Sequence, residues 1–452
     1  MMRLSAVALW TRGRLTGADA AVSGVTIDTR SIQPGNLFVA IKGERVDGHD
    51  FLAAAKAAGA SGALVTRPVA VDLPQVLVDD ATLALGDLAS SVRAQSDVQV
   101  VGITGSNGKT TVKSLVAAIL ALQGRTHVNS GNYNNELGLP LTLLAMPQDC
   151  EYAVLEMGAG KPGDIDYLAA IARPTVALVN NIAAAHLARL GTLEGVAETK
   201  GAIYQHLPAD GVAVINADEP FARFFQGLAG SRRQLSFGLE QPADVTATTI
   251  ELHASGSRFQ LHLGDESAAI ELPLPGRHNV ANALAAAAVT AALGVPLARI
   301  AQGLAQAPAV AGRLRRQTLA DGAVLIDDSY NANPGSVRAA IDTLAAQSGR
   351  RWLVLGDMAE LGPAGKALHA EAGRQARAAG IDALFSVGPL AAEASAAFGT
   401  GGQAFTDQAA LLAVLQSGLQ PGDVCLVKGS RSAGMDRIVS ALSGSKEVSH
   451  AV

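Results

Sequence analysis

The 452-residue sequence has no large excess of basic or acidic residues, and it lacks a long unbroken apolar run. Its 35 basic and 40 acidic residues give a net charge of −5, whereas proteins that wrap nucleic acid usually carry a basic excess. The longest apolar run, residues 281–293, contains Asn282 and Thr290 and ends at Gly294, which predicts a buried helix and not a membrane span. No nucleic-acid or membrane partner is therefore expected.

Cysteine is also scarce. The two cysteines, Cys150 and Cys425, are far apart and lack the CxxC spacing of a metal or redox site. Both are predicted to be buried thiols, because free cysteine behaves as a small apolar residue. A chain without a disulfide framework fits a reducing compartment, so a cytoplasmic location is expected.

Apolar residues are plentiful, since 49% of the chain is hydrophobic and 17% is charged. This composition supports several buried cores, and the length predicts two to four domains. Three segments, 1–97, 98–309 and 310–452, each alternate short apolar strands with helical patterns, as is typical of α/β domains with a mainly parallel sheet. Between residues 244 and 272 the pattern has period two, which predicts a small antiparallel patch.

A glycine-rich loop follows the apolar strand predicted at residues 98–103, and a helix is predicted from about 110 to 122. Backbone N–H groups and the helix dipole would face an anion there. Lys109 could reach the β- and γ-phosphates of a nucleotide, and the Thr110 hydroxyl could ligate Mg²⁺. Ile103 stands where the full Walker spacing has glycine, so the match is to a shortened variant. The predicted phosphate-binding residues are Gly105, Ser106, Asn107, Gly108, Lys109, Thr110 and Thr111.

Polar residues gather at other points where buried strands end. Glu156 and His186 follow predicted strands, and ligands collect at the carboxyl ends of parallel strands. Residues 129–140 contain four asparagines around glycines. Asparagine side chains are costly to bury without hydrogen-bond partners. Residues 428–431 follow another strand, where a basic cluster could dock a peptide carboxylate or simply be solvated.

These motifs, in this order, resemble the Mur ligase family over nearly the whole chain. The resemblance implies three α/β domains: a small uridine-nucleotide domain at 1–97, a central P-loop ATP-binding domain at 98–309, and a Rossmann-like dipeptide-binding domain at 310–452. It also implies a monomeric, cytoplasmic, ATP-dependent ligase of cell-wall synthesis. Its substrates would be small molecules, namely a UDP-N-acetylmuramoyl-peptide and an amine donor.

The resemblance assigns the metal and nucleotide contacts. Lys200 matches a lysine that is carbamylated in the family, and burial would favour the neutral amine that traps CO₂. Two Mg²⁺ sites, with Mn²⁺ possible, are expected at Thr110, Glu156, His186 and Lys200. The expected ATP contacts beyond the loop are Asn279 and Asn282 at adenine, Arg313 at the γ-phosphate, and Asp328 and Tyr330. The catalytic candidates are Lys109, Lys200, His186 and Arg313.

The same resemblance assigns the other substrates. Residues 28–50 look like the uridine-nucleotide domain of ligases that add the third and fourth units. The expected contacts of that nucleotide substrate are Thr29, Arg30, Ser31, Asn132, Asn134 and Asn135, with Asn331 and Asn333 nearby. Residues 355–362, together with His369, resemble the branch that adds D-alanyl-D-alanine to a UDP-muramoyl-tripeptide through an acyl phosphate. The expected dipeptide contacts are Asp357, Met358, Lys428, Ser430 and Arg431.

Three alternatives compete with this prediction. One is the neighbouring branch that adds the third residue, although its Asp-Asn-Pro-Arg motif is absent from the sequence. A folate polyglutamate ligase is more distant, because the uridine-type segment at 28–50 argues against it. The third is a non-catalytic nucleotide-binding regulator, against which Glu156, His186, Lys200 and Asp328 all argue.

Overall fold

Three large β-sheets follow one another along the chain in the computed structural model, which describes residues 2–184, 187–308 and 310–444. They contain five, nine and six strands, and parallel pairing predominates in each. The predicted α/β class is therefore confirmed. Within the described residues, no helix is both long and apolar enough to cross a membrane.

The first region carries the five-stranded sheet, in the order β2-β7-β6-β5-β4, and a small β1–β3 pair. Its elements are β1 Met2–Arg3, α1 Leu4–Trp10, β2 Arg14–Thr16, β3 Ala21–Val22, β4 Gly24–Thr26, β5 Asn36–Val39, α2 Leu52–Ala57, β6 Gly62–Val65, β7 Gln75–Leu77 and α3 Ala81–Arg93. The N-cap of α3 is Asp80, whose carboxylate accepts the N–H groups of Thr82 and Leu83.

The middle region carries the nine-stranded sheet, in the order β16-β15-β14-β13-β12-β11-β8-β10-β9. Its elements are β8 Gln99–Thr104, α4 Lys109–Leu120, β9 Thr126–Val128, α5 Gly138–Leu144, β10 Tyr152–Glu156, α6 Asp164–Ala172, β11 Val176–Val179, α7 Leu187–Leu190, α8 Leu193–Gly201, β12 Val212–Asn216, α9 Ala222–Ala229, β13 Arg233–Phe237, β14 Val245–His253, β15 Gly256–Leu263, β16 Glu266–Leu272, α10 Arg277–Ala292 and α11 Leu297–Ala305.

The third region carries the six-stranded sheet, in the order β17-β18-β22-β19-β20-β21. Its elements are β17 Arg315–Thr318, β18 Val324–Asp328, α12 Pro334–Ala345, β19 Arg351–Gly356, α13 Gly365–Ala378, β20 Ala383–Val387, α14 Ala392–Phe398, β21 Gly402–Phe405, α15 Gln408–Gly418, β22 Val424–Lys428 and α16 Asp436–Ser443.

The sequence pattern explains how the middle sheet is built. Strand β8 is buried on both faces, as its continuous apolar run requires. In β15, by contrast, only alternate residues (Ser257, Phe259 and Leu261) are buried, and β14, β15 and β16 pair antiparallel. The predicted antiparallel patch is therefore confirmed. The alanine-rich helix α10 packs against α4, and its small side chains lie almost wholly inside.

The parallel strands bring chemically active residues to one edge of each sheet. In the middle region β8, β10 and β11 end at Thr104, Glu156 and Val179. In the third region β18 and β22 pair in register up to Asp328 and Lys428. The carboxyl ends of both sets of strands border the same cleft, as expected for ligand sites in open parallel sheets.

Candidate active site

A cleft of about 760 Å³ lies between the middle and third regions. Most of the residues predicted from the sequence line it, although they come from distant segments. These are Ser106, Asn107, Gly108, Lys109, Thr111, Asn132, Asn134, Asn135, Glu156, Lys200, Asn279, Asn282, Arg313, Asp328, Tyr330, Asn331, Asn333 and Lys428.

The glycine-rich loop turns directly into α4. Gly108 is the N-cap of that helix and has a left-handed φ of 77°. A Cβ at Gly108 would come within 2.4 Å of Asn282 Oδ1 and 2.6 Å of Asn180 Nδ2, so glycine is required by both conformation and space. Lys109 Nζ folds back over the loop and donates to the Gly105 carbonyl at 2.9 Å. The loop therefore has the geometry of a phosphate cradle at a helix N-terminus.

Two asparagines that sequence reasoning did not assign hold this loop in place. Asn181 Oδ1 accepts the Asn107 N–H at 2.8 Å, and its carbonyl accepts the Ser106 N–H at 2.8 Å. Asn180 Nδ2 donates to the Asn107 carbonyl at 2.9 Å and to Asn282 Oδ1 at 3.0 Å. The available signal was an asparagine pair directly after the buried strand β11.

Glu156 is buried at the end of β10 and is surrounded by donors. Thr110 Oγ1 donates to Glu156 Oε2 at 2.7 Å, and Asn134 Nδ2 donates to Oε1 at 2.9 Å. Burial opposes ionisation of this carboxyl, but the nearby charges of Lys109, Lys113 and Arg313 and the Thr110 bond together hold its pKa below the usual value. Glu156 therefore presents an ionised carboxylate beside the phosphate cradle.

Lys109 and Lys200 lie in the same desolvated environment. Burial lowers the pKa of Lys109, and the Arg313 charge lowers it further. Lys200, which is 1% exposed on α8, has a pKa lowered to about 7, first by burial and then by the charge of Lys109. A lysine with such a pKa is largely neutral just above neutrality, so its amine can act as a nucleophile.

The predicted adenine contacts lie at the start of α10. Asn279 and Asn282 are buried, and Asn282 Nδ2 donates to Asn279 Oδ1 at 3.1 Å. His278, which the sequence reasoning did not assign, also lines the cleft. Burial and the charge of Lys428 lower the pKa of His278 to about 4. At neutral pH the His278 imidazole is therefore uncharged.

The third region reaches the phosphate loop directly. Arg313 Nη2 donates to Thr110 Oγ1 at 2.7 Å, and Asn333 Nδ2 donates to Asn107 Oδ1 at 2.8 Å. The Arg313 guanidinium also stacks on the Tyr330 ring, 4.4 Å from its centroid. Arg313 is thus placed where it can contact a group bound on the loop.

Asp328 and Lys428 form a buried ion pair on the third-region side. Lys428 Nζ lies 2.6 Å from Asp328 Oδ2 and donates to the Asn331 carbonyl at 3.0 Å. Burial raises the pKa of Asp328, although Lys428 and Arg313 oppose that shift. Lys428 is therefore hydrogen-bonded within the protein while it also lines the cleft, and its expected contact with the dipeptide stays a prediction.

Four other expected dipeptide contacts, Asp357, Met358, Ser430 and Arg431, are absent from the cleft lining of the described chain. Asp357 Oδ1 accepts the N–H groups of Leu390 and Ala391, before α14. Met358 is fully buried and Ser430 nearly so. The Arg431 guanidinium lies 5.8 Å from the centroid of the Tyr330 ring and is half exposed. Among these four, Arg431 is the one whose exposed side chain lies beside Tyr330, which lines the cleft.

Thr29, Arg30 and Ser31 form a single helical turn in the first region, outside the described lining of the cleft. The Asp28 carboxylate accepts the Arg30 N–H and pairs with its guanidinium at 2.6 Å. The Thr26 and Ser31 hydroxyls lie 2.8 Å apart. This turn is preorganised and leaves the Arg30 side chain exposed.

The predicted metal site is only partly described. His186 lies outside the described residues, and among those described no cluster of three or more His, Cys, Asp or Glu could hold a metal. The adjacent Thr110 hydroxyl and ionised Glu156 carboxylate nevertheless form a pair of oxygen donors beside the phosphate cradle. Such hard oxygen ligands fit Mg²⁺.

Glu219 is a further acidic group that sequence reasoning did not assign. It follows β12, and its Oε2 atom is buried and has no hydrogen-bond partner among the residues that the structure describes. Burial and the charge of Asp218 raise the pKa of Glu219 to about 7, while a hydrogen bond from the Ile182 backbone opposes the shift. This carboxyl is therefore close to half protonated at neutral pH.

Three family models match the chain in order. Residues 21–93 match the Mur ligase family catalytic domain, residues 103–290 the Mur ligase middle domain, and residues 312–431 the Mur ligase glutamate ligase domain. The chain belongs to the Mur ligase family.

Individual relatives are similar over almost their full length. The UDP-N-acetylmuramoyl-tripeptide--D-alanyl-D-alanine ligase of Escherichia coli (strain K12) is 48% identical over 95% of this chain and 96% of its own. A crystal structure of MurF from Acinetobacter baumannii superposes with a TM-score of 0.91 at 37% identity, covering 97% of this chain and 98% of that one. MurF ligase from Thermotoga maritima in complex with ADP gives 0.83 at 30% identity, covering 93% and 97%. The three-domain α/β arrangement is that of these structures.

Proposed function

We propose that this protein joins D-alanyl-D-alanine to UDP-N-acetylmuramoyl-tripeptide, with ATP converted to ADP and phosphate. The observation that carries the proposal is the convergence of Lys109, Glu156 and Lys200 on one cleft. The 48% identity to a ligase of that name over nearly the whole chain supports the choice of substrates. The same relative makes the branch that adds the third residue, and a non-catalytic regulator, weaker candidates.

The reaction must first activate a carboxylate, which is a poor electrophile. The terminal carboxylate of the tripeptide attacks the γ-phosphorus of ATP, which gives an acyl phosphate and releases ADP. The dipeptide amine, after loss of its proton, then attacks the acyl carbon, an amide forms and phosphate leaves. Lys109 and Arg313 both bond to the phosphate loop, at Gly105 and Thr110, where they can neutralise charge on the transferred phosphoryl group.

The donor set favours Mg²⁺ at the phosphate cradle, held by Thr110 and Glu156 and, by family resemblance, by His186 and Lys200. When bound, Mg²⁺ would neutralise phosphate charge and orient the transferred group. Glu156 suits this role because three cationic neighbours keep it ionised. Carbamylation of Lys200 fits its buried, easily deprotonated amine, and the modification would turn it into a carboxylate ligand.

The three domains would divide the substrates. The uridine nucleotide would bind the 1–97 domain and the asparagine loop at 132–135, and ATP the 98–309 domain with adenine near Asn279 and Asn282. The dipeptide would bind the 310–452 domain, where Arg431 is exposed at the cleft edge. We also propose a monomer in the cytoplasm. Sedimentation of the purified protein tests the oligomeric state.

The function is tested by supplying the purified protein with ATP, Mg²⁺, UDP-N-acetylmuramoyl-tripeptide and D-alanyl-D-alanine. Mass spectrometry should detect the UDP-muramoyl-pentapeptide, and one phosphate should be released for each amide formed. Turnover that needs a single amino acid and a dipeptide acceptor would instead support the branch that adds the third residue. Nucleotide binding without any amide product would support a regulator.

A further inference from the structure

Lys113 is a buried cation that lies one helical turn beyond Lys109 on α4 and is absent from the described cleft lining. It is 5% exposed. Its Nζ donates to the Asn129 carbonyl at 2.8 Å and lies 3.7 Å from Glu156 Oε2. A lysine is rarely this buried unless its charge is paired. Its partners are therefore the best guide to its role.

Asn129, the main partner of Lys113, is itself buried and bonds to two segments at once. Its side chain accepts the Glu156 N–H at 3.0 Å and donates to the Glu156 carbonyl at 3.0 Å. The same amide donates to the Tyr133 carbonyl at 3.0 Å. Asn129 thus fixes the end of β10 to the loop that carries Asn132, Asn134 and Asn135.

The cleft side of this loop is tied to the same strand end. Asn134 Nδ2 donates to Glu156 Oε1 at 2.9 Å, and the Gly158 N–H donates to the Asn134 carbonyl at 2.8 Å. The space beside Gly158 is tight, because a Cβ there would lie 2.8 Å from Asn134 Oδ1. Hydrogen bonds therefore hold the 132–135 loop and Glu156 in a fixed relative position, which we call the frame. Lys113 and Asn129 lie behind it, and Asn134 lies at the cleft surface.

We propose that Lys113 is a positioning residue that holds the 132–135 loop and Glu156 in one frame, and so sets the affinity for the uridine-nucleotide acceptor. The inference rests on the proposed function for the identity of that acceptor. Lys113 supplies the hydrogen bond that anchors the start of the loop and a positive charge behind the carboxylate. Lys113 reaches the cleft only through Glu156, and within the described residues it makes no hydrogen bond to the phosphate loop. ADP binding should therefore depend on Lys113 far less than acceptor binding does.

The test compares Lys113→Met with Thr290→Val, which removes a buried hydrogen bond inside α10, several turns from the adenine end. Hydrogen exchange is measured first, on the ligand-free protein. In Lys113→Met, amides in residues 129–137 and 156–160 should exchange at least about tenfold faster, the factor expected for one lost hydrogen bond to a charged group. Thr290→Val should leave these segments unchanged. Equal exchange of these segments in wild type and Lys113→Met overturns the inference.

Binding is measured next, in EDTA so that no metal contributes. Lys113→Met should weaken binding of UDP-N-acetylmuramoyl-tripeptide by about tenfold or more while ADP affinity stays within about twofold. Lys113→Arg, which retains a charged donor, should bind the acceptor better than Lys113→Met does. Equal loss of ADP and acceptor binding, or an arginine variant no better than the methionine variant, overturns the role.

Failure of the proposed function and failure of the positioning role of Lys113 give different experimental results. If the wild-type protein does not bind the acceptor, the proposed function fails. Hydrogen exchange still tests whether Lys113 positions the loop and Glu156, because that measurement needs no ligand. If Lys113→Met is not recovered folded, the wild-type protein itself provides the measurement. The amides of Glu156 and Gly158 should then be as protected as that of Val154 in the core of β10, and rapid exchange at either overturns the frame.

Discussion

The two sides of the cleft are built alike but differ in how their charges are paired. On the middle side, the fold buries Lys109, Glu156 and Lys200 near one another, their charges shift one another's pKa, and all three line the cleft. On the third-region side, Lys428 is bonded to Asp328 and Asp357 accepts backbone N–H groups. The strand-end charges of the third side thus pair with each other, whereas the Glu156 carboxylate stays ionised beside Lys109 and Arg313, two cations that line the cleft.

This difference shows what strand position does and does not establish. The carboxyl ends of parallel strands converge whatever residues they carry. Whether a side chain remains free depends on neighbours that come from other segments of the chain. We therefore assign the phosphate chemistry to the middle side, to which the third region contributes Arg313. Exposed Arg431 is left as the principal candidate on the third side to meet the dipeptide.

The largest expected effect is on the middle side. Lys109→Ala should lower the rate of phosphate release by at least about 10²-fold, because it removes a positive charge that is positioned to stabilise the transferred phosphoryl group. The fold should be retained, which circular dichroism can check. Lys56→Ala, at an exposed ion pair with Asp72, is the matched control and should turn over normally. Near-normal turnover of Lys109→Ala would remove the phosphate-cradle assignment.

On the third side the expected effect of losing a lysine is on stability. Lys428→Met leaves Asp328 buried without its partner, so the free energy of unfolding should fall by about 3 kcal/mol. Denaturant titration measures this change. Lys366→Met, at an exposed pair with Glu393, should cost no more than about 1 kcal/mol. If Lys428→Met is as stable as wild type but binds the dipeptide poorly, Lys428 is a substrate contact and the contrast between the two sides breaks down.

A smaller effect is expected at the edge of the cleft. Arg431→Ala should raise the KM for D-alanyl-D-alanine about tenfold or more, the value of one hydrogen bond between a cation and a carboxylate. The KM for ATP should change much less. Initial-rate measurements with each substrate varied in turn separate the two constants. An unchanged dipeptide KM would place the carboxylate pocket elsewhere.

The smallest effect concerns the buried carboxyl of Glu219 on the middle side. Its pKa is about 7 in the folded protein and 4.5 as a reference. Between these values the folded state holds a proton that the unfolded state has released. The stabilisation is therefore complete below about pH 4.5 and is lost as the pH rises through 7.

Glu219→Gln, which cannot ionise, should remove this dependence. The variant should be about 1–3 kcal/mol more stable than wild type at pH 8 and similar to it near pH 4. Thermal unfolding across that range measures the difference. Glu266→Gln, exposed on β16, is the control and should show no such gain. A parallel pH dependence of wild type and Glu219→Gln would show that this carboxyl has an ordinary pKa.

The local sequence pattern predicts the strands and the phosphate loop well, because both depend on residues that are close in the chain. The strand predicted at 98–103 lies within one residue of β8 at both ends, and the helix predicted from about 110 begins at Lys109. Asn180 and Asn181 were not assigned, since their role depends on a loop more than 70 residues earlier. The Lys428–Asp328 pair spans 100 residues, so its burial could not be predicted from the residues around either partner.

The division of labour between the two sides is tested most directly by calorimetric titration of ADP into wild type, Lys109→Ala and Arg431→Ala. The account predicts that Lys109→Ala binds ADP at least about tenfold more weakly, while Arg431→Ala stays within about twofold of wild type. If Arg431→Ala loses ADP affinity as strongly as Lys109→Ala does, Arg431 belongs to the nucleotide site. That result would contradict the separation of phosphate chemistry from dipeptide binding.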